Sequence, residues 1–353
     1  MSKPFAVISD QHFHEWSAFA TVNASGVNSR LQIQLTELRR CADTLRAAGG
    51  DTIYNAGDTF HVRNSLMPSV LNPVMDLHRE LISEGFKVIV LAGNHDLASK
   101  TSNRLSSAVT SLESIGCRVV NTTERIGDVV MVPWVAEVAI LKLELDAIAA
   151  TMTADELKLT NLIIHAPVDG VIVGLPDHGL SGAYLKGLGF RRVFSGHYHS
   201  HKEVCDGVWS VGASCHQTWG DIGSKAGFLI VKEGEPVRWF KSHAPEFVEI
   251  TAETPIDEVE MLVDGNFVRA KINSSKQVEI QELRAFLDGA GAKGVTILAH
   301  KDSSVTARVG STVSAGASME VSVNDFIKSK SFANHEKLAL LCQDILKETE
   351  SAA

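Results

Sequence analysis

Five short, mostly apolar runs in this chain each break off into a cluster of Asp, Asn, Gly and His. FAVIS runs into Asp10-Gln11-His12, DTIYNA into Gly57-Asp58, and KVIVLA into Gly93-Asn94-His95-Asp96; NLII ends on His165, and RRVFS runs into Gly196-His197-Tyr198-His199. Near-continuous apolar runs of this length are the signature of strands buried on both faces, which occur in parallel sheets covered by helices. Between the first runs the period changes. Leu31, Leu35, Leu38, Cys41/Ala42 and Leu45 recur at helical spacing until Gly49-Gly50, a second helical stretch covers 69–84 up to Gly85, and a third covers about 102–115. This β-α-β-α-β alternation requires right-handed crossovers, hence a largely parallel sheet. Ligands of such sheets bind at the carboxyl ends of the strands, where all five polar clusters stand.

The rest of the chain reads as additions to that core. After CRVV and VVMVPW comes a helix near 137–150, followed by the two histidine-bearing strands. From 202 to about 250 the Asp206-Gly207 and Gly234 turns separate strand-like runs, which predicts antiparallel pairing and a second sheet. The expected fold is therefore α/β: a layered core over 1–250 with a mixed, largely parallel sheet plus a second sheet, flanked by helices. A boundary falls near 250–257. Residues 257–301 read as a small β-α-β unit, with strands at 266–273 and 293–299 around a helix at 277–288. Residues 302–320 are a Ser/Thr/Gly/Ala-rich linker. Residues 321–353 form one or two amphipathic helices carrying Ile327, Phe332, Leu338, Leu340, Leu341 and Ile345.

Composition narrows the setting. The start lacks the basic and apolar regions of a secretion signal, and no apolar run approaches the roughly 20 residues of a membrane span, so a cytoplasmic protein with no membrane partner is expected. Five scattered cysteines without a CxxC pair read as free thiols. A net charge of −9 argues against nucleic-acid binding as a global property, although a local basic groove or bound cations can offset it.

The polar clusters carry the chemistry. Side chains two apart on a strand point the same way, so Asp10 with His12, and His197 with His199, can each face one point. Two such pairs, a carboxylate and an amide oxygen make two sites of mixed N/O donors, which suit Mn, Fe or Zn. The ordered set D-x-H, G-D, G-N-H-D, H and G-H-x-H resembles the calcineurin-like metallophosphoesterase superfamily over about residues 5–200. That resemblance implies two divalent cations, Mn expected with Mg, Fe or Zn as alternatives. One would be held by Asp10, His12, Asp58 and His199, and the other by Asp58, Asn94, His165 and His197, with Asp58 bridging. It implies in-line attack on a phosphodiester. His95 would contact the phosphate or protonate the leaving oxygen, and Asp96 would orient its ring.

Within the superfamily, His61, three residues after Asp58 in GDTFH, resembles the DNA-repair exonucleases of the SbcD type, where that histidine assists catalysis. The C-terminal additions and the VPW segment resemble those enzymes and phage recombination endonucleases. The implied function is a DNA nuclease subunit acting at DNA ends in recombination or repair, in the host cytoplasm if phage-encoded. Its implied partners are DNA, an SMC-like coiled-coil ATPase docked by the C-terminal helices, and a second copy of the chain meeting it through helices at 69–84 and 102–115. The alternatives are a small-substrate phosphoesterase, such as a nucleotidase or cyclic-nucleotide diesterase, and a non-catalytic scaffold. His14, His201, His216 and Trp219 stand near the motifs as further candidates for the site, and Trp16 as a base-stacking surface.

Overall fold

In a computed structural model of the protein, β1 (Phe5–Ile8), α1 (Ser29–Ala47), β2 (Thr52–Asn55), α2 (Pro68–Ser83), β3 (Lys87–Leu91) and β4 (Arg118–Val120) follow one another as the alternation requires. The structure describes residues 3–61, 65–99, 107–274 and 276–299, together with 327, 334, 337, 338 and 340–342. β1 to β4 are parallel neighbours in that order. The helix expected over 102–115 is seen as a 3₁₀ segment over Ala108–Ile115, and its first residues lie outside the described ones.

The next elements build a second sheet of equal size. They are β5 (Glu124–Ile126), β6 (Val129–Val132), α3 (Val138–Ala150), α4 (Ala154–Leu159), β7 (Asn161–His165), α5 (Gly182–Gly187), β8 (Arg192–Gly196), β9 (Lys202–Cys205) and β10 (Val208–Ser210). Strand order is β5-β6-β7-β8-β10-β9, with β6, β7, β8 and β10 parallel. The expectation that 202–250 makes the second sheet needs correction. β9 and β10 extend the sheet of β7 and β8, whereas β11 (Gly227–Val231) and β12 (Arg238–Lys241) return to the first sheet, β11 lying antiparallel to β1. Both hairpins are antiparallel as their turns predict, but a local hairpin signal does not say which sheet will accept its edge.

The two sheets pack face to face. Val7, Leu91, Met131, Ile163 and Phe194 fill the space between them. Leu31, Leu38, Leu45, Val74 and Leu81 of α1 and α2 cover the outer face of the first sheet, and Leu141, Leu145 and Leu185 of α3 and α5 cover that of the second. Strands covered on both faces can afford no polar alternation, which is why their sequences are apolar throughout. At the start of α1 the Asn28 side chain accepts from the Arg30 and Leu31 amides, a cap that contributes about 1 kcal/mol.

A third sheet follows: β13 (Phe247–Ile250), α6 (Ile256–Val263), β14 (Phe267–Ile272), α7 (Gln277–Gly289) and β15 (Gly294–Ala299). All three strands are parallel, and β14 is central. Its first strand lies upstream of the boundary read at 250–257, because β13 is too short and too irregular in pattern to announce its sheet. This sheet belongs to the same compact unit as the two larger ones. A second unit comprises 273–275 and 300–353, of which Ile327, Lys337, Leu338 and Leu340–Cys342 are helical. The linker at 302–320 and most of the helical segment at 321–353 lie outside the described residues. Among the described residues, no helix is long and apolar enough to cross a membrane.

His78 in α2 is 1% exposed, with Nδ1 donating to the Val74 carbonyl. Burial lowers its pKa from the ordinary value of 6.5. A histidine depressed on folding binds protons better unfolded, so its contribution is complete above about pH 6.5 and is lost as pH falls. His78→Leu is therefore expected to flatten the decline of Tm on acidification below pH 6.5; thermal melts across that range, with an unchanged slope as the contrary result, check it.

Candidate metal centre

The five polar clusters meet at the carboxyl ends of both large sheets. Asp10, His12, Asp58 and Asn94 follow β1, β2 and β3 of the first, whereas His165, His197 and His199 end or follow β7 and β8 of the second. The backbone there is unusual. Among the described residues other than glycine, positive φ occurs at Asp10, His12, Phe19, Asp58 and His197, and all but Phe19 belong to the predicted set. Such conformations cost about 1–3 kcal/mol each and persist where the surroundings enforce them. They also correct the strand-periodicity argument. β1 ends at Ile8, and Asp10 and His12 sit at φ 49° and 45°, so left-handed turns rather than the pleat aim both side chains inward. Gly93 allows the approach of the two loops, since a Cβ there would collide with the Asp58 carboxylate.

Among the described residues three sets of donors lie close together, and two of them consist of predicted metal ligands. Asp10, His12 and His199 form one and Asp58, His165 and His197 the other, with the donor atoms of each set within 4.8 Å of one another. Asp58 Oδ2 lies 3.6 Å from His12 Nε2 and 3.4 Å from His165 Nε2, which places it between the sets. Asn94 Oδ1 is 3.1 Å from His165 Nε2 and 3.0 Å from His197 Nδ1. All seven predicted metal residues are thus brought together.

The hydrogen bonds around the imidazoles test whether this cage suits cations. His165 Nδ1 donates to the Ala56 carbonyl at 2.8 Å and His199 Nδ1 to Asp221 at 2.6 Å. His12 Nδ1 faces His61 Nδ1 at 3.4 Å. With the Nδ1 protons directed outward, the Nε2 lone pairs turn inward, and those of His12 and His199 face each other at 3.3 Å. Converging lone pairs and carboxylates need positive charge between them, and a divalent cation would supply it. Titration reflects the same demand. Burial opposes the charged form of His165, yet the Asp58 carboxylate outweighs it and raises its pKa to about 9. Asp58 is held well below the carboxylate range despite its burial, chiefly by His165.

Asp221 was not singled out from the sequence. It sits in a 3₁₀ turn over Trp219–Asp221, and burial would raise its pKa, but the bond from His199 holds it at about 2. An Asp in a Trp-Gly-Asp segment carries no local signal of such a role; only its proximity to His199 reveals it. Trp134 of the VPW segment stacks on His197, with ring centroids 5.1 Å apart.

The catalytic candidates are placed as follows. The His95 N–H donates to Asp58 Oδ1 at 2.8 Å, and its Nδ1 donates to the His61 carbonyl at 2.8 Å. The His61 ring stacks on that of His95 at 5.4 Å. Asp96 does not orient the His95 ring as expected. Its carboxylate accepts from the Thr59, Phe60 and Gly93 amides, so it ties the Asp58 loop to the Asn94 loop, and the His61 carbonyl takes the role assigned to it. Trp16 and His14 pack on His61, with centroids at 4.4 and 5.1 Å. His201 instead stacks on Trp239, while His216 and Trp219 contact Phe247 of the third sheet.

Two adjoining sets of imidazole, carboxylate and amide donors could each hold a cation. The chain belongs to the calcineurin-like phosphoesterase family, whose model matches residues 3–201. That family uses a dinuclear divalent metal centre. No curated protein matches the chain. Among solved structures, it is similar to a dimetal phosphatase from Danio rerio, at 12% identity and a TM-score of 0.41 over 64% of this chain and 91% of that one. It is also similar to nuclease MPE of Pseudomonas putida, at 15% identity and a TM-score of 0.32 over 67% and 84% of the two chains. At these scores neither likeness bears on substrate.

Proposed function

We propose that this chain is a phosphodiesterase that cleaves DNA at a two-cation centre, as the nuclease subunit of an end-processing complex with an SMC-like ATPase, acting as a homodimer with Mn²⁺. The observation that carries the reading is the position of His61. It forms a cluster with His12 and His95, donor atoms within 4.8 Å, and continues outward into the half-buried rings of His14 and Trp16. Flat rings beside a phosphoryl-binding centre suit a nucleobase, which stacks on them irrespective of sequence.

Divalent cations, when bound, supply charge neutralisation at the phosphoryl oxygens and activation of the attacking water. The chain's own residues do the rest. With His12 Nε2 turned inward toward a cation, the proton of His12 stands on Nδ1, where His61 Nδ1 lies 3.4 Å away to accept it. His95 has its Nδ1 proton committed to the His61 carbonyl, which leaves Nε2 as the atom that exchanges a proton with the leaving oxygen. Asp96 keeps the two loops in register so that His95 and Asn94 face the same centre.

The test is degradation of linear duplex DNA with Mn²⁺, followed alone and with a candidate ATPase partner. His95→Ala is expected to lower turnover about 10²–10⁴-fold with both cations still bound. Rapid hydrolysis of nucleotides with intact DNA would instead support the small-substrate alternative, which the net charge of −9 favours.

A further inference from the structure

The loop carrying Asp10 and His12 turns through two left-handed residues, so its carbonyls leave the β1–β2 ladder. Three consecutive ones are met by side-chain amides. Gln217 Nε2 donates to the Asp10 carbonyl at 2.7 Å, and Gln34 Nε2 donates to those of Gln11 and His12 at 2.9 and 2.8 Å. Gln34 and Gln217 are each 2% exposed, so no bulk water can replace them.

The backbone of Gln217 is itself held on both of its polar groups. Its carbonyl accepts from Arg30 Nη2 at 2.7 Å, and its N–H donates to Asp221 Oδ2 at 2.8 Å. Asp221 uses its other oxygen to hold His199. Arg30 is 3% exposed, and its guanidinium lies 5.0 Å from the Phe247 ring and 4.7 Å from the Phe267 ring. Those two residues open β13 and β14 of the third sheet. A cation taken out of water is costly unless its donors are met. Here two of them are met by the Gln217 and Ala18 carbonyls, while aromatic faces cover the plane. The consequence is a continuous path of direct contacts from the third sheet, through Arg30 and Gln217, to Asp10 on one branch and through Asp221 to His199 on the other. Both branches end on side chains of the same donor set; from Asp10 the path goes on only to the backbone N–H of His197, which donates to the carboxylate at 3.0 Å, and not to the His197 ring.

We propose that Gln217, locked by Arg30 against the third sheet, is a positioning residue for the Asp10–His12–His199 cation position and not for the other. This rests on the two-cation reading of the cage. The third sheet is then part of the frame of the metal centre, and loosening its contact with Arg30 weakens one cation selectively.

The experiment is Mn²⁺ titration of the full chain by calorimetry and electron paramagnetic resonance, on wild type, Gln217→Met, Arg30→Met and Arg30→Lys. Loss of an outer partner typically weakens a metal site about 10–100-fold. That loss is expected for one of the two ions in both Met variants, with the exchange-coupled two-ion spectrum giving way to that of an isolated ion. Arg30→Lys, which keeps a donor for the Gln217 carbonyl, is expected to recover part of the affinity. Wild-type affinities at both positions, or equal weakening of both, would overturn the proposal while leaving the two-cation reading intact. Wild type that binds no Mn²⁺ would overturn both. Should Arg30→Met not fold, Phe267→Leu removes one ring face with the apolar contact preserved. The same selective loss then supports the proposal, and two unchanged affinities overturn it.

Discussion

Asp58→Asn is expected to abolish paired cation binding and to lower phosphodiester turnover by about three orders of magnitude or more, since cation stabilisation of the transition state is worth several kcal/mol and each 1.36 kcal/mol is a decade. The amide keeps the shape of the carboxylate, and its oxygen can still accept the His95 N–H that Asp58 Oδ1 accepts at 2.8 Å. What disappears is charge, at the point 3.6 Å from His12 Nε2 and 3.4 Å from His165 Nε2 where both donor sets converge. At about 4 Å and an effective dielectric near 20 a unit charge pair is worth roughly 4 kcal/mol, and here one charge serves two positions. The measurement is metal content of the purified variant together with cleavage of a chromogenic phosphodiester. Two retained ions with more than a tenth of wild-type turnover would contradict the bridging role.

Phe194→Ala is expected to destabilise the protein by about 3–5 kcal/mol, the range for truncating a buried phenylalanine. Phe194 is fully buried in β8, between the two sheets. It stacks on Trp209 at 5.4 Å and meets Phe5 edge-on at 6.4 Å, so one side chain joins strands of both sheets. The cavity would open where no helix can move in to fill it. Because β8 runs directly into Gly196 and His197, the variant is also expected to weaken cation binding. Urea unfolding followed by circular dichroism checks the first effect; a loss below 1 kcal/mol would mean that the inter-sheet core is not where the stability resides.

The residues of the candidate centre were legible because metal chemistry restricts the alphabet. Asp10, His12, Asp58, Asn94, His165, His197 and His199 belong to the few kinds of side chain that bind hard or borderline cations without thiolate, and each ends or follows an apolar run of strand length. What surrounds them was less legible. Asp221 and Gln217 act through bonds to residues more than 20 positions away, with no spacing to mark them. Asp96 lies beside His95 in sequence yet serves three amides elsewhere, because adjacent residues in a tight loop point in different directions.

By itself the sequence determined most of the strands, the crossover helices over the first hundred residues, the two hairpins and which candidate donors stand at the strand ends. Periodicity, turn residues and ligand chemistry are local properties, and they survive without knowledge of neighbours. Tertiary structure alone decided that the five strands are shared between two sheets, that β11 and β12 return to β1, and that β13 joins the third sheet. Pairing depends on which edge is free and which face is apolar once the chain has collapsed, and that information is spread over many residues. The left-handed turns at Asp10, His12, Asp58 and His197 are of the same kind. No residue there prefers the conformation, and only the packed surroundings make it the one that brings the donors together.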